Sequence, residues 1–218
     1  MGSGPSMRDV DPARLPGFPI LLNGAASLHA AFTDHAVAVE DERFVWRHLD
    51  MLKAALRPET LRLFSPAVMR ALAEQEPDLL RDAPVIVMEN LLKPFRSRRR
   101  SLEEVESRVL RDGDAAVSRE PEQGVVVAGT VAYSVLQFAL ATEARRIAVA
   151  GVDLTNTAAP RFYETAGRTA ASGIEAGQAR ILSHFAVALQ LAEERSSRLE
   201  TVTPGSALER IGVVYAPL

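Results

Sequence analysis

The sequence has no cysteine, which excludes a disulfide framework, a thiolate metal site and a cysteine nucleophile. Lysine is nearly as scarce, with only Lys53 and Lys93 among 25 lysines and arginines. The positive charge is therefore carried by guanidinium forks, which either follow genome composition or serve to grip phosphate and carboxylate. Neither sign dominates: a net charge of -3 gives no basis for sequence-independent nucleic-acid binding. No stretch approaches the roughly 18 apolar residues of a spanning helix, and the first residues lack the basic-then-apolar order of a secretory signal. A cytoplasmic protein is expected. His29, His35 and His48 have no mutual spacing that makes a metal site, so no metal and no further cofactor are expected.

What is present is an ordinary globular composition, 47% hydrophobic and 24% charged over 218 residues, enough for one well-buried α/β domain spanning 1–218. Its most informative stretch is 125–164. After Ala128-Gly129-Thr130, the residues Val131, Val135, Leu136, Ala139 and Leu140 form a helical stripe, and Ile147-Ala148-Val149-Ala150 is a short β-rich run. A helix starting at Gly129-Thr130 directs free N–H groups and a positive dipole end at an anion. Asp153 follows the buried strand, at the edge where open parallel sheets bind ligands. A carboxylate there is costly unless something uses it.

The same alternation runs through the rest of the chain. Strands are predicted at 18–22, 36–39, 60–64, 84–88 and 199–202, with helices at 25–32, 43–56, 66–74 and 174–195. Strand and helix in turn imply a Rossmann-like, mostly parallel sheet with helices on both faces. Two segments break the pattern. Residues 91–124 carry Lys93, Arg96, Arg98, Arg99 and Arg100 before an acidic run, and read either as a solvated face or as a lid insertion. Residues 156–173 form a second long connection. The start, Gly2-Ser3-Gly4-Pro5-Ser6, is a phosphate-compatible glycine-rich turn that normally follows a strand. Either a short first strand is missing ahead of it or the likeness is accidental; the first is the expectation.

Taken together, Gly2-Ser3-Gly4-Pro5-Ser6, Asn23, Gly129-Thr130, Gly151-Val152-Asp153 and Thr203-Pro204-Gly205-Ser206 resemble single-domain bacterial glycosyltransferases that use CMP-activated ulosonic acids. Asp41-Glu42-Arg43-Phe44 and Arg161-Phe162-Tyr163-Glu164 look more like the lipopolysaccharide-core Kdo transferases, with bacterial sialyltransferases as more distant relatives. The resemblance implies a CMP-sugar donor and a lipopolysaccharide or other glycan acceptor, with peripheral association at the inner face of the inner membrane. It implies that Gly2, Ser3, Gly4, Pro5, Ser6 and Asn23 hold the cytidine nucleotide. Gly129 and Thr130 would receive phosphate or sugar carboxylate, Gly205 and Ser206 would line the site, and Tyr163 would stabilise the leaving phosphate.

The general base stays open. His184 is the nearest histidine to the family's position but lies more than a turn too late, and beside Phe185 it also reads as a packing residue. Asp153, Asp41 and Glu164 are the alternatives, although Asp41 equally suits a helix cap. Two other functions compete: a metal-dependent pterin-type pyrophosphokinase, which resembles the chain in its glycine-rich turn and Gly-x-Asp core, and a non-catalytic sugar-nucleotide-binding relative.

Overall fold

A computed structural model describes residues 1–15, 17–155, 160–164 and 174–218. Four parallel strands, β1 (Ile20–Leu22), β2 (Ala36–Val39), β3 (Leu61–Phe64) and β4 (Val85–Val87), lie side by side in chain order. Helix α1 (Glu42–Ala55) connects β2 to β3 and α2 (Pro66–Gln75) connects β3 to β4. An antiparallel hairpin, β5 (Val109–Asp112) and β6 (Ala115–Ser118), precedes α3 (Val131–Ala141). Then β7 (Arg146–Val149), α4 (Ile174–Glu194), β8 (Arg198–Thr201) and β9 (Val214–Tyr215) complete the chain, the three strands again parallel. The fold is α/β and Rossmann-like.

Period-two alternation explains how the sheet is covered. All four residues of β2 are buried. Val37, Val39 and Phe64 pack with Val45, Leu52, Val68 and Leu72 of α1 and α2. Ala36, Ala38 and Leu63 pack with Val131 and Val135 of α3 on the other face. Local chemistry starts α1, α2 and α3. Asp41 accepts the Arg43 N–H (3.0 Å) ahead of α1, and Ser65 accepts the Val68 N–H (3.2 Å) with Pro66 in the first turn of α2. Thr130 accepts the Ala132 N–H (3.4 Å) ahead of α3.

The two sheets meet at the amino terminus. The Met1 ammonium donates to the Ile20 carbonyl (2.8 Å), and the Leu22 N–H donates to the Met1 carbonyl (2.9 Å). On its other side the Gly2 N–H donates to the Ala150 carbonyl (2.7 Å). One residue's length of backbone thus bridges β1 and β7, and the order across the bridge is β9-β8-β7-Met1-β1-β2-β3-β4. The chain runs outward in one direction through β1 to β4, then returns and runs outward in the other through β7 to β9. That reversal is the topological switch point of a doubly wound sheet.

Several details depart from the sequence reading. The segment predicted as a helix over 25–32 is a 3-10 stretch, Asn23–Ala31, starting from Asn23 at φ 49°. The 91–124 insertion is no simple lid: Val105, Val109, Ala115, Ala116 and Val117 enter the largest apolar cluster, against α3 and α4. Its charged residues pair on the surface, Arg98 with Glu104 and Arg111 with Glu103 and Glu106. Most of the 156–173 connection lies outside the described residues.

Burial gives the amino terminus a measurable signature. It pushes the Met1 ammonium from its ordinary value of 8.0 down to about 5, so the folded chain binds that proton less readily than the unfolded chain. This contribution is complete above about pH 8 and is lost as pH falls to about 5, with a slope of at most ~1.4 kcal/mol per pH unit. His48 and His184 are also pushed down by burial and act in the same direction. Amino-terminal acetylation removes only the amine's share. Urea midpoints from pH 5 to 8.5 should therefore rise more steeply in the free-amine chain than in the acetylated one; equal slopes would show that the amine is solvated.

Candidate functional site

The glycine-rich turn lies at the switch point, against the loop that follows β7. The Gly4 N–H donates to the Gly151 carbonyl (2.8 Å). Asp153 accepts the Ser6 N–H on one carboxylate oxygen (3.0 Å) and the Ser6 hydroxyl on the other. A Cβ on Gly2 would stand 2.4 Å from the Gly151 oxygen, and one on Gly4 would stand 2.5 Å from the Asp153 carboxylate. Close approach of two backbone segments therefore already requires glycine at both positions. Asp153 is 9% exposed with both oxygens engaged. It acts as a tether that positions the turn, which answers the burial cost from within the chain.

The β8 end of the site is held in the same way. The Thr203 hydroxyl accepts the Gly151 N–H (3.1 Å), and the buried Ser206 hydroxyl donates to the Val152 carbonyl (2.8 Å) while accepting the Leu208 N–H. Ser206 thus serves the loop's own structure, whereas Gly205, at φ 73°, has open space around it.

On the β1 side, Tyr163 covers Gly24 so closely that a Cβ there would fall 1.8 Å from the ring. Its segment is anchored to the turn: the Phe162 N–H donates to the Ser3 carbonyl (3.4 Å), and Arg8 donates to the Pro160 and Arg161 carbonyls. Burial raises the Tyr163 phenol above its ordinary range, so the ring stays a neutral donor. His48 meets Tyr163 edge-on (5.8 Å) and Phe44 at 4.6 Å. It sits at a non-helical break in α1 (φ -137°, ψ 33°), and burial holds its imidazole below the ordinary value, against the pull of the Glu164 charge. Beside Gly24, the buried Oδ1 of Asn23 has no hydrogen-bond partner among the described residues.

The start of α3 forms a further border. Gly129 takes φ 97°, and a Cβ there would lie 2.8 Å from the Arg180 guanidinium. The dipole end of α3 and a cation from α4 therefore act on the same point. The Thr130 hydroxyl is occupied as the cap. Glu40, at the carboxyl end of β2, accepts from the Ser134 hydroxyl (2.8 Å), and burial lifts its carboxyl above the usual range. The Gly151–Leu154 loop links the two borders: Gly2 and Gly4 lie on one flank, and on the other Gln178 donates to the Leu154 carbonyl two residues before Arg180.

Two expected catalytic residues lie elsewhere in role. Asp41 caps α1 and pairs with Arg43 at the surface; although burial alone would raise its carboxyl, those bonds hold it below the ordinary range. Such a group is a poor proton acceptor. His184 is 7% exposed, with its Nδ1 at the Arg180 carbonyl (2.8 Å) and its ring edge-on to buried Tyr133. It is a packing residue of α4. His48, Glu40 and Arg180 were not singled out by the sequence, since nothing in helical periodicity marks a kinked histidine or an arginine facing another helix's first turn. Among the described residues, no group of three or more His, Asp or Glu is placed to hold a metal ion. Comparison with protein families, curated proteins and solved structures gives no match.

The Asp153 tether is testable without a ligand. Asp153→Ala leaves the Ser6 N–H and hydroxyl unpaired in a largely buried loop, at a cost of about 2–4 kcal/mol. The urea midpoint should fall, and protease should cut first within residues 2–9; Asp153→Asn should recover part of the loss.

Proposed function

We propose that this chain is a glycosyltransferase that moves an acidic sugar, Kdo or sialic-acid-like, from a CMP-activated donor to a lipopolysaccharide or surface-glycan acceptor, in the cytoplasm at the inner face of the inner membrane. The observation that carries this reading is the meeting of the Gly2–Ser6 turn with Tyr163-covered Gly24 at the switch point of the sheet. Support also comes from the motif resemblance, which spans nearly the whole sequence.

In the reaction, an acceptor hydroxyl oxygen attacks the anomeric carbon while the bond from that carbon to the CMP phosphate oxygen breaks. CMP leaves with the electron pair, and the acceptor proton passes to a base. The neutral Tyr163 hydroxyl meets the charge developing on the phosphate, since the N–H groups of Gly2, Gly4 and Ser6 are already donated within the chain. Arg180 beside Gly129 receives the sugar carboxylate. His48, kept neutral by burial, and Glu40, with its raised affinity for a proton, replace His184 and Asp41 as the groups suited to accept the proton.

Calorimetry with CMP, UMP and AMP tests the donor. CMP should bind at least about tenfold more tightly than UMP. Equal binding rejects the cytidine assignment, and tight ATP binding only with Mg²⁺ transfers the chain to the pyrophosphokinase reading. With CMP-Kdo as donor, Tyr163→Phe should lower kcat by roughly 10–100-fold while changing CMP affinity much less, as expected for a contact strengthened in the transition state. CMP binding without turnover supports the non-catalytic relative.

A further inference from the structure

Lys93, Arg96, Arg98, Arg99 and Arg100 place five cations within eight residues of a chain whose net charge is -3. No aspartate or glutamate stands between 91 and 100. Surface pairing accounts for only one member of this cluster. Arg98 meets Glu104, whereas Lys93, Arg96, Arg99 and Arg100 form no ion pair among the described residues. Lys93, Arg96 and Arg99 are exposed, and between them Phe95 presents an aromatic ring that is 52% exposed.

The loop is fixed from within. Leu91 is buried in the largest apolar cluster and Leu92 packs against it. The Asn90 Oδ1 accepts the Leu92 N–H (3.0 Å) and the Lys93 N–H (2.9 Å), and the Glu89 Oε1 accepts the Phe95 N–H (3.1 Å). The Arg100 N–H then closes the loop on the Leu92 carbonyl (2.9 Å). These bonds use the backbone of 92–100, so the Phe95 ring and the cationic heads are left to solvent. Arg96 takes φ 54°, a left-handed conformation that glycine would adopt without strain. A large cation at such a position points to a use for the side chain. The placement is specific as well. Asn90 bridges Val125 in parallel, and the segment from Val125 leads to Gly129 at the start of α3. The loop therefore leaves the sheet at the carboxyl edge, the edge that carries the crevice.

We propose that the loop 92–100 is a docking surface for an anionic phospholipid bilayer, with Phe95 seated at the headgroup boundary and Lys93, Arg96, Arg99 and Arg100 over the lipid phosphates. A bilayer supplies what the loop presents: negative charge spread over an area, with an apolar layer just beneath it. A soluble anion would leave Phe95 in water. A nucleobase would stack on the ring, but the Arg96 guanidinium already lies over it, 5.3 Å from its centroid. The inference rests on the transferase reading only in that the acceptor is then a neighbour in the same membrane; vesicle binding is read without donor or acceptor.

The test is co-sedimentation with lipid vesicles. Phosphatidylcholine vesicles containing about 30% phosphatidylglycerol should pellet the protein, and pure phosphatidylcholine should leave it in solution. Binding should weaken steeply between about 0.05 and 0.5 M salt. Lys93→Ser and Arg99→Ser should each lower vesicle affinity about fivefold, and Phe95→Ser roughly tenfold. Arg96→Gly should also lower it about fivefold, yet leave the urea midpoint at or above that of the parent, because glycine relieves the left-handed strain. CMP affinity should be the same in all four variants, so loss of CMP binding bears on the transferase reading and loss of vesicle binding on the docking surface. The proposal is overturned if the protein pellets equally with both kinds of vesicle or with neither, or if the four variants pellet as the parent does. It is equally overturned if single-stranded RNA or polyglutamate binds the parent more tightly than the anionic vesicles do and is lost with the same four substitutions.

Discussion

The backbone of Met1 and Gly2 is the constraint on which the rest depends. Without its hydrogen bonds to β1 and β7, a four-stranded and a three-stranded parallel sheet would share α3 as their common packing. With them, the strand order reverses at one point. Every candidate group at the site is then placed by its distance along the chain from that reversal: the turn at 2–6 directly after it, Gly24 after β1, Gly151 and Asp153 after β7. Asp153 reinforces the bridge from the ligand side, since its two bonds to Ser6 hold the turn against the β7 loop.

Charge buried away from the site follows a different rule. Arg62 is 2% exposed, and its guanidinium donates to the carbonyls of Arg57, Thr60 and Leu79, with no carboxylate paired to it among the described residues. It ties the entry to β3 to the segment after α2. Glu200 is 1% exposed and is held by Arg146 and Arg198 from neighbouring positions in β7 and β8. Each is held by several partners, so each fixes strand register at a small net energy and becomes costly when one partner is removed. Burial shifts proton affinity in both places, lowering that of Arg62 in the scaffold and that of His48 and raising that of Glu40 at the crevice.

Much of the scaffold was legible because burial on both faces writes continuous apolar runs. Ala36–Val39 is a strand at the predicted residues, and the helix expected over 43–56 is Glu42–Ala55. The β5–β6 hairpin was missed although Asp112-Gly113 is a hairpin signal; charged neighbours hid it, and its apolar side is a short run of alanines and a valine that shows no period alone. Strand β9 is two exposed residues and carries no pattern. Within the site, the burial cost of Asp153 was legible, but the compensating group was not, since Ser6 lies 147 residues away in sequence. His184 followed family position, whereas the structure gives that surface to Tyr133 and the Arg180 carbonyl. His48 reaches Tyr163 only because α1 breaks at that residue, a tertiary event that no periodicity records.

The bridge and the turn share one piece of chain, and that couples them. Residues 2–6 follow directly on the residue that joins the two sheets. Any displacement of Met1 is transmitted through Gly2 to Gly4 and Ser6, because Gly151 and Asp153 lie too close for the turn to move alone. Stability at residue 1 and the geometry of residues 2–6 are therefore two readings of the same backbone position.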